Sequence, residues 1–361
     1  MSEIRAIKRV VVRGTSWVGD SVMIIPALRA LRKLLPEASI TLAVRESVKD
    51  LFAEAEFIDE LFVYDEGDSV FKQSREWHKA QFDLAILFQN AFRAALIPFL
   101  ASVPLRFGFA TERRSFLLTN PVALPHWRSS RHEVFFYLYL IAALEHSLFG
   151  TNTVCDAEPD IRLELSLNDR NAGLALLSSN GANTEGPLVA ICPGSTNSRA
   201  KRWSAAAYAN LADKLIATGK TTVVLIGAPS ELDVTSEVID HMIEKPVVLT
   251  GKTSVKNITA VLDAAELLVT NDTGPAHIAA ALGTPSVVIF GPTNPSTTRP
   301  FSSLAEIIHH PPECAPCMLR DCPIDHRCMT VITVDEVFDR AQAILSKSRF
   351  DAAVRAICDI A

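Results

Sequence analysis

The sequence predicts an α/β protein built from two doubly wound domains, and three observations carry that prediction. Short runs rich in Val, Ile and Leu alternate with segments of helical periodicity along the chain. The runs are apolar at successive positions, as strands covered by helices on both faces of a parallel sheet must be. The alternation lapses once, in the polar stretch 150–167, before a second series begins.

Strands are expected at residues 7–13, 40–44, 60–64, 82–88 and 105–109, with helices at 21–35, 69–79 and 130–148. The second series gives strands at 188–192, 222–226, 247–249, 267–270 and 286–290, and helices at 204–217, 231–242, 255–264 and 276–282. The expected domains are therefore 1–167 and 168–345, with 346–361 as a C-terminal helical tail. Two such domains imply an interdomain cleft, because ligands of open parallel sheets bind outside the carboxyl ends of the strands.

The 361 residues suffice for two or three domains with sizeable cores, being 48% hydrophobic and 21% charged. A net charge of −6 argues against a general nucleic-acid binder. The opening MSEIRAIKRVVVRG runs directly into a strand pattern without the apolar core of a signal peptide. The longest apolar runs, 94–105 and 134–144, fall short of the ~20 residues that cross a bilayer, so a soluble or peripheral protein is expected.

Three loops at strand ends carry the chemistry. In RGTSWVGDSVMIIPAL, residues 13–28, Asp20 stands where the first strand turns into a helix. It suits a helix N-cap, and equally a general base that takes a proton from a hydroxyl. In PGSTNSRAKRW, residues 193–203, Gly194, Ser195 and Thr196 offer backbone N–H groups and hydroxyls, and Lys201 and Arg202 add positive charge. The spacing is not that of a Walker loop. In TNDTGPAHIAAALGTPSVVIFGPTNP, residues 270–295, a strand ends at Asp272 and Pro275 opens a helix. The free donors and dipole of such a helix start form an anion site. Asp272 reads alternatively as a cap and His277 as a core histidine, but three polar turns in one expected cleft favour a site. A second turn, 290–293, follows the next strand. No D-x-D sequence is present, which points to neutralisation of a leaving diphosphate by protein groups rather than by a divalent metal.

Of seven cysteines, Cys155, Cys192 and Cys358 are scattered, while Cys314, Cys317, Cys322 and Cys328 follow C-x2-C-x4-C-x5-C. The first pair has zinc-ligand spacing. The later gaps fit equally a loop pinned by Pro311, Pro312, Pro316 and Pro323.

Taken together, RGTSWVGDSVMIIPALRAL, CPGSTNSRAKRW, GAPSELD and NDTGPAHIAAALGTPSVVIFGPTNP resemble glycosyltransferase family 9, the ADP-heptose lipopolysaccharide heptosyltransferases, over nearly the whole chain. CAPCMLRDCPIDHRC resembles the heptosyltransferase II branch more than the heptosyltransferase I branch. The resemblance implies a GT-B fold, with two facing Rossmann-like domains, the first binding acceptor and the second nucleotide sugar. It implies Asp20 as catalytic base. It also implies a donor set of Ser195, Thr196 and Lys201 at the diphosphate, Glu231 at the ribose, Thr253 at the adenine, and Asp272 at the heptose, with Thr273, Gly274 and His277 around the phosphates. The reaction would invert the anomeric carbon, and a carboxylate of ordinary acidity is already ionised for that task at neutral pH.

The implied partners are ADP-heptose and the heptosyl-Kdo-lipid A inner core, with peripheral contact on the cytoplasmic face of the inner membrane, no nucleic acid and no divalent metal. Residues 93–131 carry Arg93, Arg106, Arg113, Arg114, Arg128 and Arg131 against a single acidic residue, Glu112. These fit a solvated face or an acceptor patch. Arg93, Arg113, Arg114, Arg128 and Arg131 are assigned to the acceptor because guanidinium groups pair bidentately with carboxylates and phosphates. Another heptosyltransferase of the family (I or III type) and a non-transferase nucleotide-sugar enzyme or binder remain open. A dinucleotide oxidoreductase is disfavoured, since Gly14 and Gly19 do not form G-x-G-x-x-G.

Overall fold

Val10, Val11 and Val12, all fully buried, form the centre of β1 (Arg9–Arg13), the strand from which the first sheet grows in both directions. Beside it lie β2 (Ser39–Arg45), β3 (Glu60–Tyr64), β4 (Leu84–Leu87), β5 (Leu105–Phe109) and β6 (Asn120–Val122), in the order β3-β2-β1-β4-β5-β6. Every neighbouring pair is parallel. The connecting helices are α1 (Val18–Met23), α2 (Ile25–Leu34), α3 (Val70–Ala80), α4 (Phe92–Leu100) and α5 (Glu133–Phe149). This computed structural model describes residues 7–183, 185–196, 198–219 and 221–358, with side chains through 347. Residues 359–361 of the expected tail, and the Cys358 side chain, lie outside that description.

The chain divides into two units, 1–161 and 162–361. The second begins with α6 (Leu167–Ser179), so residue 167 opens a helix rather than ending a linker. Its sheet contains β7 (Leu188–Cys192), β8 (Thr222–Leu225), β9 (Val247–Val248), β10 (Leu267–Asn271), β11 (Ser286–Phe290) and β12 (Ala305–His309). The helices are α7 (Ala205–Ala217), α8 (Leu232–His241), α9 (Val255–Asp263), α10 (Gly274–Leu282), α11 (Pro295–Thr298), α12 (Arg327–Thr330) and α13 (Val334–Cys358). The strand order, β12-β11-β10-β7-β8-β9, reads β9-β8-β7-β10-β11-β12 from the other edge, the same sequence of crossovers as in the first sheet. Each sheet therefore reverses direction beside its first strand, between β1 and β4 and between β7 and β10. Loops leaving that point diverge and open a crevice.

The expected central strands are present. The sequence reading lacked β6 and β12, two short edge strands. Pro121 in β6 cannot donate to a ladder and is tolerated only at such an edge. The expected helix 21–35 is two helices, because Pro26 supplies no N–H and fits best in the first turn of a new one, α2. The expected tail from 346 has no start of its own, since α13 runs unbroken from Val334. Among the described residues, no helix is long and apolar enough to cross a membrane.

One carboxylate ties the end of α5 to the turn that follows. Glu145, 1% exposed, accepts from the Thr151 hydroxyl at 2.7 Å, the Thr153 N–H at 2.8 Å, the Thr153 hydroxyl at 2.6 Å and the Val154 N–H at 2.9 Å. Burial alone pushes its pKa up, but these hydrogen bonds outweigh it and hold the carboxyl at about 2. A depressed carboxyl stabilises the fold above its unfolded pKa, and that stabilisation disappears as pH falls towards 2. Glu145→Gln is thus expected to lower the melting temperature at pH 7 and to flatten its fall between pH ~4.5 and 2. Parallel pH–melting curves for the two proteins would contradict this.

Candidate functional site

In the second unit, the reversal point is laced together by Asn271, the last residue of β10. Its fully buried amide accepts from the Trp203 N–H at 3.0 Å and the Tyr208 hydroxyl at 2.9 Å. It donates to the carbonyls of Pro193 and Gly194 at 2.8 and 3.1 Å. The loop after β7 is thereby fastened to the end of β10.

Asp272 follows, only 4% exposed. Its Oδ2 accepts from Lys201 Nζ at 2.8 Å and from the Thr293 hydroxyl at 2.7 Å, and Lys201 also reaches the Asp272 carbonyl at 3.3 Å. Burying the carboxylate is tolerable because a cation and a hydroxyl replace its water. Asp272 is consequently not a helix cap. The N-cap of α10 is Thr273, which makes no side-chain cap bond, and Gly274 and Pro275 are the first two helical residues. Thr273 and Gly274 are partly exposed at this helix start, while His277 is buried one turn further on.

Glu231, 4% exposed, ends the 3-10 turn Pro229–Glu231. Its carboxylate accepts from the Ala228 N–H at 2.8 Å and from the Thr196 hydroxyl at 3.4 Å. It fills a slot that exists only because two neighbours have no side chain. A Cβ on Gly194 would stand 2.9 Å from Glu231 Cγ and nearer still to the carboxylate, and one on Gly227 would stand 3.0 Å from Oε2. Ser195 is buried, and its carbonyl accepts from Arg202 at 3.1 Å. Thr196 is exposed, and Thr253 lies half-buried just before α9. The structure thus joins Lys201 to Asp272 and Thr196 to Glu231.

In the first unit, Asp20 is the third residue of α1, whose N-cap is Trp17. The cap alternative for Asp20 is therefore set aside. Asp20 lines a pocket of about 370 Å³ at the β1–β4 reversal point, together with Arg13, Trp17, Tyr64, Gln89 and Arg93. The floor is Arg13, 3% exposed, which donates to Gln73 Oε1 at 2.7 Å and Gln89 Oε1 at 3.3 Å and stacks on the Tyr64 ring at 3.5 Å. Burial pushes its pKa down to about 10. Gln89 in turn donates to the Ser16 and Tyr64 hydroxyls at 2.8 and 3.0 Å. Arg13, Tyr64 and Gln89 escaped the sequence reading, since a lone arginine closing an apolar run looks like an exposed strand end. The faint signal was that it directly precedes the Gly14 turn.

The arginines of 93–131 do not form one patch. Arg114 is fully buried, and its guanidinium donates to the Phe109, Gln89 and Ala91 carbonyls and to Asn90 Oδ1. Its assignment to the acceptor is corrected: with no exposed surface, it ties the loops after β4 and β5 together. Arg128 pairs with Glu133 at 2.7 Å and covers the Phe136 ring. Arg131 lies over the Phe135 and Trp127 rings, and Arg93 donates to the Glu66 and Asp68 carbonyls. Arg113 is exposed in a left-handed turn, and among these arginines only Arg93 lines the pocket.

Among the described residues, no group of three or more His, Cys, Asp or Glu side chains is arranged to hold a metal ion. Cys314 is exposed, Cys317 and Cys322 are half-buried, and Cys328 is buried. Burial, then the neighbouring Cys322, Cys317 and Cys314, push the Cys328 thiol up to about 11, so it packs as a neutral group.

Two units, each with a wholly parallel sheet of the same strand order and a polar cluster at its reversal point, give an α/β architecture that matches the GT-B-like heptosyltransferase structures described below. The description glycosyltransferase family 9 (heptosyltransferase) matches residues 70–327. The chain belongs to that family. Lipopolysaccharide heptosyltransferase 2 of Salmonella typhimurium is 28% identical over 310 residues, 83% of this chain and 87% of that one. The structure of E. coli ADP-heptose LPS heptosyltransferase II matches with a TM-score of 0.80 at 26% identity, covering 94% of this chain and 99% of that one. The family 9 glycosyl transferase from Veillonella parvula gives 0.82 at 26% identity, with 94% and 98% covered.

Proposed function

We propose that this glycosyltransferase is of the heptosyltransferase II type, moving L-glycero-D-manno-heptose from ADP-heptose to the heptosyl-Kdo-lipid A inner core of lipopolysaccharide. The observation that carries the donor half is the Lys201–Asp272–Thr293 cluster beside the start of α10, in which the half-buried lysine meets a buried carboxylate. Lys201, Ser195, Thr196, Thr273 and Gly274 receive the diphosphate, Asp272 the heptose and Glu231 the ribose, with Thr253 towards the adenine and His277 behind the phosphates. As the acceptor hydroxyl bonds to the anomeric carbon, the bond to ADP breaks, and charge grows on the diphosphate. Lys201 and the helix N–H groups stabilise that growing charge, which favours the transition state over the ground state. Asp20 takes the hydroxyl proton, in a pocket whose aromatic and amide lining suits a sugar acceptor.

The protein works in the cytoplasm, in peripheral contact with the inner membrane. Exposed Phe92, Phe99 and Phe116 in the arginine-containing region support that contact. Incubation with ADP-heptose and heptosyl-Kdo-lipid A is expected to add one heptose to the glycolipid and release one ADP. The rate is expected to be unchanged by excess EDTA. Absence of transfer would sink the assignment. Activity abolished by chelation and restored by magnesium or manganese would refute donor binding without a metal.

A further inference from the structure

We propose that the cysteine-rich segment 318–329 is a brace that positions the Lys201–Asp272–Thr293 cluster, with His326 as its chief positioning residue. Lys201 ends the three-residue 3-10 turn Arg199–Lys201, and so short a turn holds its own geometry poorly. The segment supplies what the turn lacks. Ala200 N–H donates to the Arg320 carbonyl at 2.9 Å, and the Ser198 hydroxyl lies 3.2 Å from both the Leu319 and Arg320 carbonyls. His326 Nε2 lies 2.6 Å from the Ala200 carbonyl, and because a carbonyl only accepts, Nε2 carries the hydrogen there. Arg199 pairs with Asp321 at 2.6 Å, but both are exposed and add little.

The same segment holds the turn that delivers Thr293. Met318 N–H donates to the Pro292 carbonyl at 2.9 Å. A Cβ on Gly291 would stand 3.0 Å from Met329 Cγ and 3.1 Å from Cys328 Sγ, so α12 is seated on that turn with no room for a methyl group. The Lys201 and Thr293 side chains that bond the Asp272 carboxylate are therefore braced by one stretch of chain. One of its cysteines contributes by packing: Cys328 is buried against Gly291.

The inference rests on the reading of Lys201 as a diphosphate group, and a double-mutant cycle separates the two. ADP is titrated calorimetrically into the full chain as wild type, His326→Ala, Lys201→Ala and the double variant, with melting temperatures recorded for each. His326→Ala is expected to weaken ADP by about tenfold, the loss of roughly one well-made hydrogen bond. In the Lys201→Ala background the same change is expected to cost almost nothing. Ser198→Ala, a milder change should His326→Ala fold poorly, is expected to show a smaller loss with the same non-additivity. Equal losses in both backgrounds, or none in either, would overturn the brace while leaving Lys201 in place. Normal ADP binding by Lys201→Ala would overturn the diphosphate reading and the brace with it.

Discussion

Asp20→Asn is expected to lower kcat by roughly 10²–10⁴ while leaving ADP-heptose affinity nearly unchanged. The amide keeps the shape of the side chain and removes its basicity. The proposed donor residues Lys201, Asp272 and Glu231 all belong to the second unit and are unaltered by the substitution in the first. The N-cap of α1 is Trp17, so the substitution removes no cap, and the first-turn charge that it does remove is worth about 0.3–1 kcal/mol. Single-turnover rates, donor titration and thermal melting on one preparation distinguish the possibilities. Near-wild-type turnover would remove Asp20 from the chemistry.

Gly194→Ala is expected to be the most damaging single-methyl change in the donor region. The new Cβ would overlap the Glu231 carboxylate, and the Gly194 and Pro193 carbonyls are tied by Asn271, so the backbone has little freedom to retreat. Glu231 has to leave its slot, losing the Ala228 N–H bond. Overpacking of this kind costs about 1–3 kcal/mol. ADP affinity should fall at least tenfold if Glu231 meets the ribose, as one lost charged hydrogen bond implies. Adding Glu231→Ala should restore much of the melting temperature without restoring ADP binding. A Gly194→Ala protein with wild-type stability and affinity would show that the loop yields, and that Glu231 is not fixed by it.

The central strands were legible because a strand covered on both faces writes itself as a run of apolar residues, as in 9–13, 188–192 and 286–290. Turn chemistry was legible for a similar reason: Gly194 and the Gly274–Pro275 pair are residue types chosen by backbone and space. Pairings across the sheet were not. Lys201 and Asp272 are 71 residues apart, and nothing local to either signals that the two side chains meet. Counting arginines along 93–131 placed Arg114 with Arg113, yet adjacent side chains can point to opposite environments, and one is fully buried while the other is exposed. Arg13 was missed for the converse reason, since a buried guanidinium satisfied by amides and a ring leaves no acidic partner in the sequence to betray it.

On the proposed reading of Lys201 as a diphosphate group, its pairing with Asp272 also bears on which anions compete for the resting protein. Its ammonium is not bare: it already bonds the Asp272 carboxylate, itself anchored by Thr293, and the Asp272 carbonyl, so an arriving anion meets a cation that is partly neutralised. Orthophosphate or sulfate, offering a few contacts at one point, gains little from such a cation, and because the pair is largely sheltered from solvent, added salt screens it only weakly. A ligand that also meets Thr196 and the start of α10, as proposed for the diphosphate, gains enough elsewhere to bind. On that reading the internal ion pair sets a threshold that favours long, multidentate anions over the small ones that vastly outnumber them in a cell.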